Sequence, residues 1–565
     1  MRSISIIPCI CFLVFFLSAE SINGQSNINR VTVYPKNIVE HQLDSRLFGQ
    51  FLECPDGGET GPEKMVTHYG KLPDDVVEAL RNMRIPIVRY YGGTVIDYSD
   101  WTDKISNVPG REVIRPNSMS RRGTELTNNF GYDEYFELAE ELGWESIIVI
   151  NMLDALSGKK SLNEAKLHAA GLVAYCNAPV GAALPEGMPD WPNVRMVNGH
   201  QLPYKVKIFE LGNEWNVGDF NNKIKEGAKL NQYEDPGEWC IHCIISITDA
   251  MREIDPGIEF ILDGMMNGDI RSNILTDQRI KERVKYITYH QYLPGTLFRA
   301  SLNGKALADS DLTPEEWFLA LGTVPGRLND EGMIEAYGDR LKFANEHGYK
   351  TVVTEWNWVG WNASYDGLVW QHAAGIGTSG FLNGLIRDAG SIELATQSML
   401  IGNAWSFAAI HYDIDFIKPT FLSAQGMATG FYSKYHGNKV LRVETGNIPY
   451  KEQPYTITVW GFYNTPGNAA LIDIVATGSE DKLFVHIVNK DYSNQYHIDI
   501  DLSDFQVSGK HAVSHILSGV PRDDFPKVNA WMKEETKEYM IATNSLGVVA
   551  PKQSLCIIEI PVTMQ

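Results

Sequence analysis

The most constraining feature of this chain is an alternation of short β-branched runs with amphipathic helical stretches between Leu47 and His411. Such alternation is typical of βα units arranged around a parallel sheet. Eight runs qualify as strands, the number that a (β/α)8 barrel needs. These runs are Leu47–Phe51, Ile87–Tyr91, Ser146–Asn151, Val206–Gly212, Ile258–Asp263, Tyr286–Tyr292, Thr351–Glu355 and Ala404–Ile410.

Apolar residues at helical spacing predict helices between these strands, at Asp74–Met83, Asp133–Leu142 and Asn329–Gly348. After Phe421 the helical spacing gives way to short alternating runs, which predict an antiparallel β-sandwich. We therefore expect an α/β fold, a (β/α)8 TIM barrel over residues 44–418 with a C-terminal β-sandwich over residues 419–565. A strand within residues 25–43 is expected to join the sandwich.

The first 24 residues have the layout of a secretory signal. Arg2 precedes an apolar run from Ile6 to Leu17, and small and polar residues follow. A retained membrane anchor is the alternative, but about twelve apolar residues are too few to cross a bilayer. We expect a secreted or periplasmic protein without membrane insertion.

The cysteines and the net charge exclude several classes of protein. The five cysteines after residue 24 are scattered, which excludes a disulfide scaffold. Cys240 and Cys243 form a CxxC, for which core packing is favoured over a redox or zinc role because no second ligand pair accompanies them. A net charge of -21 argues against a nucleic-acid partner, whose phosphates would be repelled.

Two acids follow apolar strands and precede tryptophans. Glu214 ends the run from Phe209 through Gly212 and Asn213, and Glu355 ends the run that begins at Thr351. Residues at the carboxyl ends of barrel strands point into the active-site mouth. Strands four and seven could hold these carboxyls about 5 Å apart, the separation of a retaining glycosidase. The alternative is a purely structural role, in which one or both acids lie at the surface in salt bridges or helix caps.

Glu214 would then be the general acid/base and Glu355 the nucleophile. A carboxyl beside Trp215 is expected to have a raised pKa and so to hold a proton for the leaving oxygen. Other strand ends offer supporting groups: Arg89 to orient a carboxylate, Tyr292 to bond the nucleophile, Asn213 to bond a sugar hydroxyl. Glu53 and His290 also end strands, although each of these groups could equally be structural.

The chain resembles the retaining α-L-arabinofuranosidases of glycoside hydrolase family 51. The resemblance runs over nearly the whole mature chain and includes the motifs at residues 47–53, 88–93, 130–135, 198–200, 211–214, 289–292, 355–356 and 488–490. It implies Glu214 as acid/base, Glu355 as nucleophile, and Glu53, Asn213 and Tyr292 as residues that hold the sugar. It also implies a barrel packed on a sandwich, frequent homo-oligomers, and neither a cofactor nor a required metal.

Departures from the family pattern concern the sugar. Thr94 stands where the family usually has Asn, Tyr91 replaces a Pro, and Asn403 aligns with a family Gln. Trp356 is followed by two further indoles, at Trp358 and Trp361. Changed hydrogen-bonding groups change which substrate is accepted. We therefore count Thr94, Asn403, His290 and Trp356 among the expected substrate contacts.

The sequence favours a secreted retaining hydrolase that releases terminal α-L-arabinofuranosyl residues from a polysaccharide. The alternatives are a glycosidase of the same clan acting on another sugar, for example an algal galactan, and a carbohydrate-binding homologue that has lost catalysis. Retention of Glu214, Glu355 and Asn213 argues against the last of these.

Overall fold

A computed structural model describes residues 29–564, apart from 54–60, 67–68, 218, 265–267, 295–298, 308–310, 324–334, 360–366, 403–407, 412–420, 460–461, 465 and 521–531. The expected signal segment, residues 1–24, lies outside the described residues and stays a prediction. None of the helices in the described ranges combines the length and apolar character that a membrane crossing requires.

Eight parallel strands close into a barrel, which confirms the expected fold class. Each strand is hydrogen-bonded to the next around the ring, and the eighth strand pairs with the first. The barrel strands are β2 (Gly49–Glu53), β3 (Ile87–Gly92), β6 (Glu145–Ile150), β7 (Ile208–Leu211), β8 (Glu259–Asp263), β9 (Tyr286–Pro294), β12 (Lys350–Val359) and β13 (Ile392–Ser398). One layer of its interior is filled by Ile87, Ile147, Ile208, Ile261, Tyr286, Val352 and Leu394.

The prediction of the eighth strand is wrong. Barrel strand eight is Ile392–Ser398, whereas only Ile410–His411 of the expected region forms a strand, in a small separate sheet. Residues 404–407 lie outside the described ranges. The true strand ends in Thr396, Gln397 and Ser398, which are buried and hydrogen-bonded to Thr354, Thr429 and Tyr292, respectively. Because those polar side chains interrupt the apolar run, the more apolar segment Ala404–Ile410 was the better match to a barrel strand in the sequence.

Helices cover the outside of the barrel, and several begin and end as their caps dictate. Ser161 accepts the backbone N–H of Glu164 at the start of one helix, and Gly143 ends another with φ 74°. The helices are α1 (Asp74–Met83), α2 (Tyr132–Leu142), α3 (Leu153–Leu156), α4 (Leu162–Asn177), α5 (Trp191–Val197), α6 (Phe220–Leu230), α7 (Pro236–Ile254), α8 (Gly268–Thr276), α9 (Gln278–Lys281), α10 (Pro314–Gly322), α11 (Glu335–His347), α12 (Gly367–Arg387) and α13 (Ala424–Lys434). Cys240 and Cys243 lie buried in α7, where burial raises the pKa of both thiols.

A 10-stranded sheet follows the barrel, and β1, the strand before the barrel, lies within it. β1 pairs antiparallel with β17 and parallel with β24. The strands on the path of this sheet are β1 (Arg30–Gln42), β17 (Lys439–Gly446), β22 (Ile472–Gly478), β23 (Lys482–Asn489), β24 (Tyr496–Asp501), β26 (His511–Gly519), β27 (Met532–Met540), β28 (Ser545–Ala550) and β29 (Ser554–Thr563). β25 (Gln506–Val507) pairs with β29.

Short strands complete the described secondary structure. They are β4 (Ser118–Met119), β5 (Glu125–Leu126), β10 (Arg299–Leu302), β11 (Lys305–Leu307), β14 (Ile401–Gly402), β15 (Ile410–His411), β16 (Phe421–Leu422), β18 (Tyr450–Gln453), β19 (Tyr455–Val459), β20 (Phe462–Asn464) and β21 (Gly467–Ala470). The barrel and the large sheet share a core, in which Phe381 and Leu385 of α12 cluster with Phe484 and Val488 of β23. This packing leaves the carboxyl ends of the barrel strands as the platform for a site.

Candidate active site

Glu214 and Glu355, which are 141 positions apart in the sequence, meet at the carboxyl ends of the barrel strands. Glu214 lies just beyond β7, and Glu355 lies within β12. One carboxylate oxygen of each acid and one ring nitrogen of His290 all lie within 4.8 Å of one another. In the described part of the chain, these three side chains also form a donor group compact enough for a metal ion.

The turn that carries Glu214 has an unusual backbone. Gly212 has φ 77° and donates its N–H to the Ile150 carbonyl, and Glu214 itself has φ 44°. A left-handed conformation costs a residue with a Cβ about 1–2 kcal/mol. Such strain persists only where the surroundings hold it, and it concentrates at functional sites.

A buried arginine lies under both acids. The guanidinium of Arg89 donates Nη1 to Glu355 Oε1 at 2.8 Å and Nη2 to Asn213 Oδ1 at 2.8 Å. Its Nε and Nη2 also bond the two oxygens of Glu210 at 2.6 and 2.9 Å. Burial opposes the charge on Arg89, but Glu210 and Glu355 raise its pKa. Arg89 is therefore a fixed cation that orients the carboxylate of Glu355, as the sequence suggested.

Two residues of β9 contact the acids from the side. The Tyr292 hydroxyl lies 2.7 Å from Glu355 Oε2 and 2.9 Å from Ser398 Oγ. His290 Nδ1 lies 2.9 Å from Glu214 Oε1 and 3.5 Å from Glu355 Oε2, while its Nε2 lies 3.2 Å from Thr354 Oγ1. Because β9 and β12 pair Glu355 with His290 in register, the fold itself sets these contacts.

The charges of this cluster are coupled. Burial alone would lower the pKa of His290, but the charge of Glu355 and the hydrogen bond to Glu214 raise it to about 9. Burial raises the pKa of Glu355, and the charge of Glu214 raises it further. The positive charges of His290 and Arg89 act in the opposite direction but do not cancel the rise. Burial would also raise the pKa of Glu214, but the hydrogen bond and charge of His290 outweigh it, and the pKa is lowered.

The expectation of a raised pKa for Glu214 in the free site is therefore wrong. It relied on Trp215 as an apolar neighbour, but that indole is fully buried and stacks on Phe220. The dominant neighbour is His290, a partner from another strand that the local motif could not reveal. At neutral pH the imidazole holds the proton, and Glu214 accepts its hydrogen bond.

Glu53 and Asn213 also reach the site. Glu53 ends β2, and its carboxylate packs against Gly93. A Cβ at position 93 would lie only 1.7 Å from Glu53 Oε1. Asn213 is 2% exposed, and its Nδ2 has no hydrogen-bond partner among the described residues. A buried amide donor left open is costly unless a ligand completes it. Asn213 is therefore available to a ligand hydroxyl.

The remaining predicted contacts have different outcomes. Thr94 begins a 3₁₀ helix directly after Gly93 and is partly exposed at the mouth. The prediction that Trp356 contacts the substrate is wrong. Its side chain is fully buried and stacks on Phe381 of α12, so it belongs to the core outside the barrel wall. Alternation along β12 explains this, because Glu355 faces inward and its neighbour faces outward. Trp358 is buried likewise; Trp361 and Asn403 lie outside the described residues.

Four residues that contact the site were not singled out from the sequence. Glu210 bonds Arg89, Thr354 bonds His290, Ser398 bonds Tyr292, and Asp263 accepts the backbone N–H of Trp215. All four are polar residues within barrel strands. An inward-facing polar residue in such a strand is the signal that could have identified them.

Sequence comparisons relate the barrel to known enzymes. The family model described as the alpha-L-arabinofuranosidase 1 domain matches residues 79–303. Alpha-L-arabinofuranosidase C of Emericella nidulans is 30% identical over 239 residues, which are 41% of each chain. The intracellular exo-alpha-(1->5)-L-arabinofuranosidase 1 of Bacillus subtilis is 25% identical over 268 residues, 44% of this chain and 46% of that one. The chain thus spans less than half the length of these curated relatives.

Solved structures share the whole architecture. The alpha-L-arabinofuranosidase of Thermotoga maritima in its arabinose complex superimposes with a TM-score of 0.66 at 20% identity, covering 94% of this chain and 100% of that one. The GH51 enzyme of Thermotoga petrophila gives 0.65 at 21% identity, covering 94% and 99%. At these identities the likeness shows the fold. Together with the sequence matches, it confirms the resemblance predicted from the motifs.

Proposed function

We propose that this relative of the family 51 α-L-arabinofuranosidases is a retaining glycoside hydrolase that releases terminal arabinofuranosyl residues from a polysaccharide. Glu355 attacks the anomeric carbon while Glu214 protonates the leaving oxygen, and a covalent glycosyl-enzyme forms. Glu214 then removes a proton from water, which displaces Glu355. Such a double displacement retains the configuration at the anomeric carbon.

The separation of the two acids is the observation that carries this proposal. Their nearest measured oxygens lie within 4.8 Å, and retaining enzymes hold the two carboxyl groups about 5–5.5 Å apart. An inverting enzyme needs roughly 6.5–9.5 Å so that water fits between sugar and base. This spacing supports direct attack by one carboxylate over attack by a water held between sugar and base.

The hydrogen bonds support Glu355 as the nucleophile and Glu214 as the acid/base. Arg89 and Tyr292 bond opposite oxygens of Glu355, which stabilises its anionic form and fixes its direction. Glu214 shares a 2.9 Å hydrogen bond with protonated His290. His290 thus stores the proton in the free site. Nδ1 passes it to Glu214, which gives it to the leaving oxygen as the glycosidic bond breaks, and the proton that Glu214 later takes from water returns to His290.

The identity of the sugar rests on the arabinofuranosidase relatives and on two groups at the mouth. Glu53 and Asn213 offer an acceptor and a donor for sugar hydroxyls. The residues that depart from the family pattern, Thr94 and Tyr91, flank Gly92 and Gly93, and Gly93 lies beside Glu53. Tyr91 is fully buried beneath the ammonium of Lys104. This difference favours a second candidate, a glycosidase of the same clan that accepts another sugar.

A panel of aryl glycosides tests the substrate. We expect release of 4-nitrophenol from the α-L-arabinofuranoside at a higher kcat/KM than from the β-D-galactoside, β-D-xyloside or β-D-glucoside. Faster turnover of one of the others would replace arabinose with that sugar. No turnover of any member, with the protein folded, would support the carbohydrate-binding alternative.

Azide rescue assigns the two acids separately. In Glu355→Ala, azide takes the place of the nucleophile, and the glycosyl azide should have inverted anomeric configuration. In Glu214→Ala, azide attacks the glycosyl-enzyme, and the product should have retained configuration. The configurations are read by NMR. A retained azide from Glu355→Ala and an inverted azide from Glu214→Ala would exchange the two roles. Azide replaces the missing nucleophile in one variant and the attacking water in the other.

Secretion is also part of the proposal, and it is supported by the signal-like composition of residues 1–24. Expression in a secreting host should deliver to the medium a protein that begins near Gln25, as shown by N-terminal sequencing. Retention of the full-length chain inside the cell would contradict it.

A further inference from the structure

The peptide that follows Glu214 is held by a side chain from the next barrel strand. Asp263 is the last residue of β8, is 2% exposed, and accepts the backbone N–H of Trp215 through Oδ2. β7 and β8 are paired in register up to Leu211 and Leu262. The hydrogen bond therefore joins the residue beyond that last pair on β8 to the turn beyond β7.

The two catalytic acids differ in how their backbones are fixed. Glu355 lies within β12 and is in register with His290 of β9. Glu214 lies in a turn with φ 44°, and its own carbonyl accepts the N–H of Val217 at 2.8 Å. The Asp263 bond fixes the peptide unit immediately after this strained residue, and the buried Trp215 side chain anchors the same residue on Phe220.

We infer that Asp263 is a positioning residue, which holds the Glu214 turn so that the carboxyl faces both His290 and the leaving oxygen. The inference rests on the proposed role of Glu214 as acid/base. Without the Asp263 acceptor, the peptide between Glu214 and Trp215 can rotate toward an unstrained conformation. That rotation would carry the carboxyl away from the 2.9 Å bond with His290.

Loss of a positioned proton donor has a chemical signature. A basic leaving group must be protonated as it departs, whereas an acidic phenol departs as its anion without help. Misplacement of Glu214 should therefore slow substrates with poor leaving groups much more than activated ones. A general loss of folded protein would slow both classes equally.

The experiment compares Asp263→Ala, Asp263→Asn and a control, Asp133→Asn, on phenyl and 2,4-dinitrophenyl α-L-arabinofuranosides. Asp133 lies partly buried in α2 and accepts a hydrogen bond from the Tyr175 hydroxyl. For Asp263→Ala we expect kcat/KM to fall about 10-fold or more further on the phenyl than on the dinitrophenyl substrate. Asp263→Asn, which keeps an acceptor oxygen, should restore most of that difference, and the control should leave the ratio unchanged. An equal fall on both substrates would overturn the inference.

A second measurement does not depend on the sugar. Hydrogen–deuterium exchange of the peptide that spans residues 212–217 should accelerate in Asp263→Ala and stay near wild type in Asp263→Asn. Unchanged exchange in both variants would overturn the inference. If instead the wild-type enzyme cleaved no arabinofuranoside, the proposed substrate would fail, and the same leaving-group series would be run on the sugar that the enzyme does accept.

Discussion

Arg89 and Glu355 form a 2.8 Å ion pair in the fully buried floor of the site. The planar guanidinium also bonds Glu210 and Asn213, which a lysine ammonium cannot reproduce because it lacks the fork geometry. Arg89→Lys should therefore lower kcat about 100-fold or more by releasing Glu355 from its orientation.

The matched control for that substitution is Arg115→Lys. Arg115 is a buried arginine that donates two hydrogen bonds to Glu134 and none to Glu214 or Glu355 in the described residues. We expect the control to lower the melting temperature and to leave kcat near wild type. A similar kcat for both variants would show that the fork of Arg89 has no part in catalysis.

The second prediction concerns the alkaline limb of the pH profile. The pKa of His290 is raised from 6.5 to about 9 in the folded protein, chiefly by Glu355 and Glu214 against the effect of burial. Activity should fall as pH rises through about 9, when the stored proton is lost. The charged imidazole contributes its full stabilisation of the folded state below pH 6.5. That stabilisation is lost as pH rises from 6.5 through about 9.

In His290→Gln, Glu214 must hold its own proton, and the alkaline limb of kcat/KM should move to lower pH by roughly one unit or more. His200→Gln serves as control, since His200 bonds Glu140 at the surface. A limb that stays near pH 9 in His290→Gln would assign it to another group.

The third prediction uses two glycines that share a φ of 74°. A Cβ at Gly93 would meet Glu53 Oε1 at 1.7 Å, whereas one at Gly143 would meet nothing within 4 Å. Gly93→Ala should displace Glu53 and raise KM about 10-fold or more, since a hydrogen bond to a charged group is lost. Gly143→Ala should cost only stability, about 1 kcal/mol. An unchanged KM in folded Gly93→Ala would remove Glu53 from the sugar subsite.

The fourth prediction concerns the junction of barrel and sheet. Asp473 of β22 pairs with Arg387 at the end of α12 and, at 3.1 Å, with buried Lys490. Burial would raise the pKa of Asp473, but these two cations lower it to about 2. Removing one partner of a buried ion pair costs about 3–5 kcal/mol. Asp473→Asn should therefore lower the free energy of unfolding by about that amount.

The sign of the shift fixes the pH window. Because the pKa of Asp473 lies below its ordinary 3.8, the pair stabilises fully above that value and is lost as pH falls through about 2. The difference between wild type and Asp473→Asn should shrink over that fall in denaturant melts. Asp499→Asn, which breaks an exposed pair with Arg30, should change little at any pH. A constant difference down to pH 2 would contradict the assignment.

Seven barrel strands were predictable because each contains a short run of mainly apolar, often β-branched residues. The eighth was not, because Thr396, Gln397 and Ser398 have their hydrogen-bond partners on other strands and on α13, which only the closed fold brings together. Periodicity alone predicted individual helices: α1 spans Asp74–Met83, as the spacing of its apolar residues predicts. Local pattern thus defines elements whose environment is uniformly apolar.

The site divides in the same way. Glu214, Glu355 and Arg89 end or occupy strands and could be inferred from position. The proton on His290 and the buried Glu210 depend on distances between strands that no local motif contains. Trp356 shows the opposite error, since a residue beside a catalytic acid in sequence lies on the other side of the barrel wall.

The position of β1 has a consequence for synthesis on the ribosome. Thr32 of β1 pairs with Gly446 of β17, 414 positions later. At translation rates of about 5–20 residues per second, this strand waits roughly 20–80 s for its neighbour while the entire barrel is made. Its N–H and C=O groups stay open to other chains for that interval. The strand that completes the sheet is thus also the segment most exposed to misassembly before the chain is finished.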